Sequence, residues 1–294
     1  MALVINTNVA AINGARNLTK TQDAQAQTFN RLSTGLRINS AKDDAAGLYL
    51  AQSQTKDIRG LGMATRNAGD GISLAQTAEG ALDQIGANLQ RINELAIQSA
   101  NGTYNSAARG GLQKEVDQLT QEIARIIETT EFNGNKLLNS DAATMTLQVG
   151  FKDEASSRID AGVLSGGVAG SNGIAAGNAL SNILKAAGNV LEAKKTIDIS
   201  TQTAAQKSIA ATRDAIDSVS ELRASFGAVM NRFEAVISGN QTYSENLSAA
   251  RSRVQDADFA VETSNLAKQQ VLQQAGVAAL GQANASSQVV LGLL

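Results

Sequence analysis

A chain of 294 residues with a net charge of −2 and 43% apolar content is long enough for one or two domains, and its absences narrow the choice. It has no Pro, Cys, His or Trp and only 3% aromatic residues, so disulfides, thiolate metal sites and the commonest general base are excluded. The near-neutral charge argues against a nucleic-acid partner, and no apolar run reaches the ~18 residues of a membrane span, so no membrane insertion is expected.

Without proline, long uninterrupted helices are permitted. The first is expected from Ile5 to Leu36, with Ile5, Val9, Ile12, Leu18, Phe29, Leu32 and Leu36 on its apolar face and Asn6 or Thr7 as its cap. Cap-type residues at 37–44 form a joint. Next, Leu61, Ala64, Ala68, Gly71, Ala75, Ala78, Leu82, Ile85, Leu89, Ile92 and Ala96 keep strict 3,4 steps. That is a coiled-coil-like seam, half of it small residues that admit close neighbours. A stop at Asn101-Gly102 precedes a helix from about Ser106 to Glu128. Its seam is Leu112, Val116, Leu119, Ile123 and Ile126, and the short connection makes it an antiparallel neighbour.

Residues 131–135 carry turn chemistry. Met145, Leu147 and Val149 alternate as a strand that Arg158-Ile159-Asp160 can pair with, and Thr196–Ser200 is a third alternating piece. Between them, residues 162–177 hold six glycines, a loop composition, and a short helix is expected over 178–195. A long helix then covers about Ala204 to Gly239 and continues through Leu247 and Val254. Its seam runs through Ile209, Thr212, Ile216, Val219, Phe226, Met230, Phe233 and Ile237, with Leu222 standing in beside Arg223. The last helix starts near Asp256 or Asp258, with a seam of Phe259, Glu262, Leu266, Gln269, Gln273, Gly276, Leu280 and Ala283.

The two ends look complementary. Residues 1–40 carry Arg16, Lys20, Arg31 and Arg37 against Asp23, while 255–294 carry Asp256, Asp258 and Glu262 against Lys268. Both termini close in bare apolar runs, which is unusual for chain ends. The glutamine- and alanine-rich last seam buries too little alone to offset ~1–2 kcal/mol of backbone entropy per ordered residue. Both terminal segments are therefore expected to fold only on assembly. The expected fold is mainly α, an elongated antiparallel coiled-coil or helical bundle with paired N- and C-terminal helices and a small β-hairpin. Residues 1–42 with 255–294 would form a terminal coiled-coil domain, 43–160 with 197–254 a helical-bundle domain carrying the hairpin, and 161–196 a short variable insert.

At several places the residues resemble bacterial flagellin: Leu32–Leu48, Ile5–Asn8, Gln90–Thr103 and Phe132-Asn133-Gly134 in the first half, then Ile237–Asn240, Asp256–Thr263, Gln273–Gly276, Gln282-Ala283-Asn284 and Val290–Leu294. The resemblance implies a self-polymerising subunit of the extracellular flagellar filament, with no cofactor. It further implies export through the flagellum's own channel, with a chaperone, cap and hook-junction proteins as partners. The missing n-region, h-region and cleavage pattern of a signal peptide agrees with such export. Ile5, Val9, Ile12, Phe29, Leu32, Leu36, Phe259, Leu266, Leu280, Val290, Leu291, Leu293 and Leu294 are the expected polymerisation residues. Arg91, Leu95 and Glu115 match the surface that, in flagellins sensed by animals, contacts the Toll-like receptor for flagellin. The alternatives are a hook–filament junction protein or a coiled-coil signalling module. Lys42, Asp43 and Asp44 lack a nucleophile or histidine and read as a helix start, and Asp256 and Asp258 read as caps with too few oxygen neighbours for a cation.

Overall fold

The computed structural model describes residues 8–138, 146–160 and 197–291, with residues 160 and 286–291 as backbone only. Five helices occur among them: α1 (Val9–Thr34), α2 (Ala45–Ala100), α3 (Ser106–Thr129), α4 (Gln202–Gln255) and α5 (Phe259–Leu291). Two short hairpins accompany them: β1 (Glu131–Phe132) with β2 (Asn135–Lys136), and β3 (Thr146–Gln148) with β4 (Arg158–Asp160). The chain divides into two compact units, Met1–Ile58 with Glu245–Leu294 and Arg59–Ser244. The glycine-rich loop, the helix expected over 178–195 and the insert lie outside the described residues.

In the unit Arg59–Ser244, the α2 seam is buried as its spacing requires. Leu61, Ala64, Ala68, Ala75, Ala78, Leu82, Ile85, Leu89, Ile92 and Ala96 are all at most 2% exposed. Across from them α3 buries Val116, Thr120, Ile123 and Ile127, while Leu112, Leu119 and Ile126 are only partly covered. The seam of α3 is thus rotated slightly from the expected one. In α4, Thr212, Val219, Leu222, Phe226 and Phe233 are buried as expected. Ala205, Ser208 and Ala215 are buried beside them, and Ile209 and Ile216 sit at the margin. Arg223 leaves the seam to Leu222 and reaches Asp83 at 2.9 Å and Glu79 at 3.8 Å. α4 runs to Gln255 as one helix, which absorbs the segment 241–254.

Many hydroxyls on these helices bond back to their own helix. Thr77 donates to Ser73 O, Thr120 to Val116 O, Ser218 to Asp214 O and Thr242 to Ser238 O.

The 131–136 segment is a two-residue hairpin. Asn133 (φ 51°) and Gly134 (φ 79°) supply the two positive φ values of a type I′ turn. In the second hairpin Leu147 faces Ile159 in antiparallel register, and both join a small core with Ala68, Val149 and Phe233.

The third alternating piece is not a strand. Residues 197–199 lie outside any strand, with Ile197 and Ile199 buried, and among the described residues no strand pairs with them. A side chain takes the partner's place: Gln113 Nε2 donates to Ile197 O at 2.7 Å, and Ile199 N donates to Gln113 Oε1 at 2.6 Å. Ser99 Oγ caps Ile199 O, and Ser208 Oγ caps Asp198 O. The hydroxyl and backbone N–H of Ser200 hold the Asp198 carboxyl below its ordinary pKa. Gln113→Leu leaves one buried donor and one acceptor unpaired, at about 1–3 kcal/mol each. A loss of roughly 2–6 kcal/mol on denaturant unfolding is the expected result, and a loss below about 1 kcal/mol would show that the backbone there is solvated.

Candidate functional site

The terminal unit is built on the pairing of α1 with α5. Asn8 caps α1, its side chain accepting from Ala11 N at 3.0 Å, and Gly35 (φ 72°) ends the helix in the left-handed region. The helix therefore starts and stops inside the expected 5–36 span. Asp258 caps α5, accepting from Ala260 N and Val261 N. Between α1 and α2 the Asp43 carboxylate accepts from Ser40 N, Ser40 Oγ, Asn39 N and Gln27 Nε2, which holds it below its ordinary pKa. Asp44 Oδ1 accepts from Gly47 N at the start of α2. Both acids are thus occupied as local caps.

The face by which α1 meets α5 differs from the expected one. Its inner positions are Ala11, Gly14, Leu18, Thr21, Ala24 and Thr28, whereas Val9, Ile12 and Phe29 point outward. Glycines line the contact where a leucine of the other helix fills the space over them. A Cβ on Gly14 would stand 2.8 Å from Leu280 Cδ2, and one on Gly276 would stand 3.5 Å from Leu18 Cδ1. Leu18 and Leu280 are admitted where a glycine faces them, and Val9, Ile12 and Phe29 lie outside. On α5 the seam Glu262, Leu266, Gln269, Gln273, Gly276, Leu280 and Ala283 is the covered face, but Phe259 is 56% exposed and does not belong to it.

The opposite charge of the two ends comes down to one buried pair. Arg31 Nη1 meets Glu262 Oε1 at 3.1 Å, with the glutamate side chain 8% exposed. Arg37 instead serves the backbone, its Nη2 donating to Val254 O. Lys20 and Lys268 line the same shallow groove. Beside the buried pair the two chain segments clasp: Arg37 N donates to Gln255 O, Ala257 N donates to Gly35 O, and Leu36 bridges Asp256. At the other end Asn8 Nδ2 donates to Ala283 O at 3.0 Å.

Outward, α5 exposes Val261, Val271, Leu272 and Val277, and α1 exposes Val9, Ile12 and Phe29. At 3.6 residues per turn, Val271, Leu272 and Val277 point in three different directions. The apolar surface therefore encircles the uncovered sides of α5. Leu32, Leu36, Leu266 and Leu280 are half-buried. Ile5, Leu293 and Leu294 lie outside the described residues, and Val290 and Leu291 continue α5 as backbone.

The three residues matched to the receptor surface part company. Arg91 Nε donates to Glu115 Oε1 at 2.9 Å across α2 and α3, and Nη1 donates to Glu94 Oε2 at 3.0 Å. Glu115 and then Glu94 raise the arginine's pKa. Arg91 and Glu115 are exposed. Leu95 is 1% exposed, because it shares the inward face with Ile92, Ala96 and Ser99, so it cannot itself touch a partner of the folded unit. Glu94, which the sequence reading passed over, completes the exposed cluster, and its i+3 spacing from Arg91 was the available signal. Among the described residues no group of three or more acids could hold a metal.

Comparison with known proteins agrees over the full length. Residues 5–143 match the bacterial flagellin N-terminal helical region, and residues 209–294 match the bacterial flagellin C-terminal helical region. A flagellin of Xenorhabdus nematophila is 43% identical, with 100% of both chains covered. A flagellin of Halalkalibacterium halodurans is 40% identical over 99% of this chain and 100% of its own. Among solved structures, Bacillus cereus flagellin is 26% identical over 63% of this chain and 94% of that one, with a TM-score of 0.48. Full-length flagellin matches at both ends favour neither a junction protein nor a signalling module. The chain belongs to the flagellin family and is a structural, non-enzymatic subunit of the extracellular bacterial flagellar filament.

Proposed function

We propose that this flagellin polymerises through the outward apolar side chains of α1 and α5, with the terminal segments 1–42 and 255–294 forming the inner tube of the filament. The observation that carries the reading is the inversion of the usual pattern. Within the chain α1 and α5 meet through a few leucines set among small and amide residues, while Val9, Ile12, Phe29, Val261, Val271, Leu272 and Val277 face out. Exposed apolar surface of this extent marks an interaction face, and its spread around α5 calls for neighbours on more than one side. The same pattern supports folding on assembly, since both helices leave large apolar side chains for other subunits to cover. Residues 43–160 with 197–254 would form the outer helical bundle and 161–196 the variable insert. An export chaperone, a cap and hook-junction proteins complete the proposed partners. Sedimentation after seeding tests the reading: deletion of residues 1–30 or 265–294 is expected to abolish pelleting, and truncated chains that still form filaments would overturn it.

A second reading concerns the Toll-like receptor for flagellin. The exposed Arg91–Glu94–Glu115 cluster favours it, with Leu95 supporting α2 from beneath. Arg91→Ala is expected to cut receptor signalling by monomer at least about tenfold, the effect of losing one contact worth ~1.4 kcal/mol. Unchanged signalling would leave the cluster as a local brace between α2 and α3.

A further inference from the structure

The contact between α1 and α5 has a repetitive face. Gln269, Gly276 and Ala283 recur at seven-residue steps, as do Leu266, Gln273 and Leu280, and α1 offers Gly14, Thr21 and Thr28 in the same rhythm. Leu280 nests on Gly14 and Leu18 on Gly276, so a slide of one heptad costs this face some packing, while its amide and small residues accept either alignment. Polar groups add to the choice of alignment.

The candidates on this face are Arg31–Glu262 at one end and Asn8–Ala283 at the other. They differ in kind. Asn8 donates to a backbone carbonyl, a group that every residue of α5 carries. Glu262 is 6% exposed, and its only partner among the described residues is Arg31. A one-heptad slide would set Glu262 against Ala24 or Ile38, and Arg31 against Gln269 or Gln255. Either slide takes the enclosed carboxylate away from Arg31 and leaves only Lys20 or Arg37 near it, and separating one partner of an enclosed pair is strongly unfavourable. Arg31 Nε and Glu262 Oε2 are already enclosed without a hydrogen bond, so the pair has no reserve of alternative partners. The backbone clasp of residues 35–37 with 254–257 adjoins this end, which concentrates the polar contacts there.

We propose that Arg31 and Glu262 are the positioning pair of the terminal domain: pairing of α1 with α5 starts at the clasp, is locked into one alignment by this ion pair, and zips outward toward Asn8 and Ala283. The inference rests on the reading that these helices order on polymerisation. It makes the two ends unequal. Loss of the pair removes order along the whole contact, whereas loss of the Asn8 bond removes order only near it.

Amide hydrogen exchange on assembled filaments of the full chain tests this, comparing wild type, Arg31→Met, Asn8→Ala and the exchanged pair Arg31→Glu with Glu262→Arg. Protection across 269–283 is expected to fall roughly a hundredfold in Arg31→Met, the scale of a buried ion pair losing one partner. In Asn8→Ala the loss should stay within the last turn or two, and the exchanged pair should recover protection over Arg31→Met. Equal, local losses in Arg31→Met and Asn8→Ala overturn the proposal. If Arg31→Met does not pellet, pelleting becomes the readout: recovery in the exchanged pair supports the inference, and equal failure of all three variants sinks it. A wild-type chain that does not pellet overturns the assembly reading instead, and the same exchange gradient in the free chain then decides this one.

Discussion

Replacing Val271, Leu272 and Val277 together by serine is expected to leave the unit Arg59–Ser244 at wild-type stability and to stop polymerisation at concentrations where the wild-type chain pellets. The three side chains are 65%, 48% and 56% exposed, so roughly half of each remains to be covered. Burying that half between subunits contributes about 0.75–1.5 kcal/mol each. Even the lower figure, taken three times, raises the critical concentration by roughly fortyfold, at tenfold per ~1.4 kcal/mol. The measurement is the concentration of unpelleted subunit after seeding, alongside thermal unfolding of the same sample. Pelleting at the wild-type concentration would remove these residues from the subunit contacts. A fallen melting temperature would mean that α5 supports its own chain more than its exposure indicates.

Phe233→Ala is expected to destabilise the unit Arg59–Ser244 by about 3–5 kcal/mol, the usual cost of emptying a buried aromatic site. The ring is fully buried in the small core of Ala68, Val149 and Ile159. It lies against the backbone of α2 at Gly71, where an added Cβ would stand 2.8 Å from Phe233 Cζ. A glycine beneath the ring leaves nothing on that side to move into the space. Phe233 also carries the β3–β4 hairpin, since Leu147 and Ile159 rest on the same cluster. Denaturant unfolding should therefore show a lower midpoint, and protease should cut first within 146–160. A loss below about 1 kcal/mol with the hairpin intact would show that the surroundings collapse into the void.

These cores were legible to different degrees, for physical reasons. The seam of α2 could be read residue by residue because its 3,4 steps never break and both large and small members face inward. On α1 the same habit of placing large apolar residues inside misled. The leucine of α5 that seats over Gly14 requires a residue without a side chain there, and Val9 and Ile12 face outward. Alternation at 196–200 correctly marked buried Ile197 and Ile199, but an alternating pattern does not say what pairs with the backbone, and here a glutamine side chain does. The charge imbalance of the two ends was visible, yet only Arg31 and Glu262 of that set meet. Arg91 and Glu115 were singled out by resemblance alone. Their ion pair joins residues 24 apart in sequence, a proximity that only the antiparallel packing of α2 and α3 creates.

The hydroxyls that bond back to their own helices bear on mechanics. Thr77, Thr120, Ser218 and Thr242 each spend their donor four residues back along the same helix. These four donors are spent within their own helices and cross-link no neighbouring helix. Back-bonding of this kind also eases a helix into a bend. In a filament subunit, helices eased in this way follow a curve without giving up a polar bond made by these hydroxyls to a neighbouring helix.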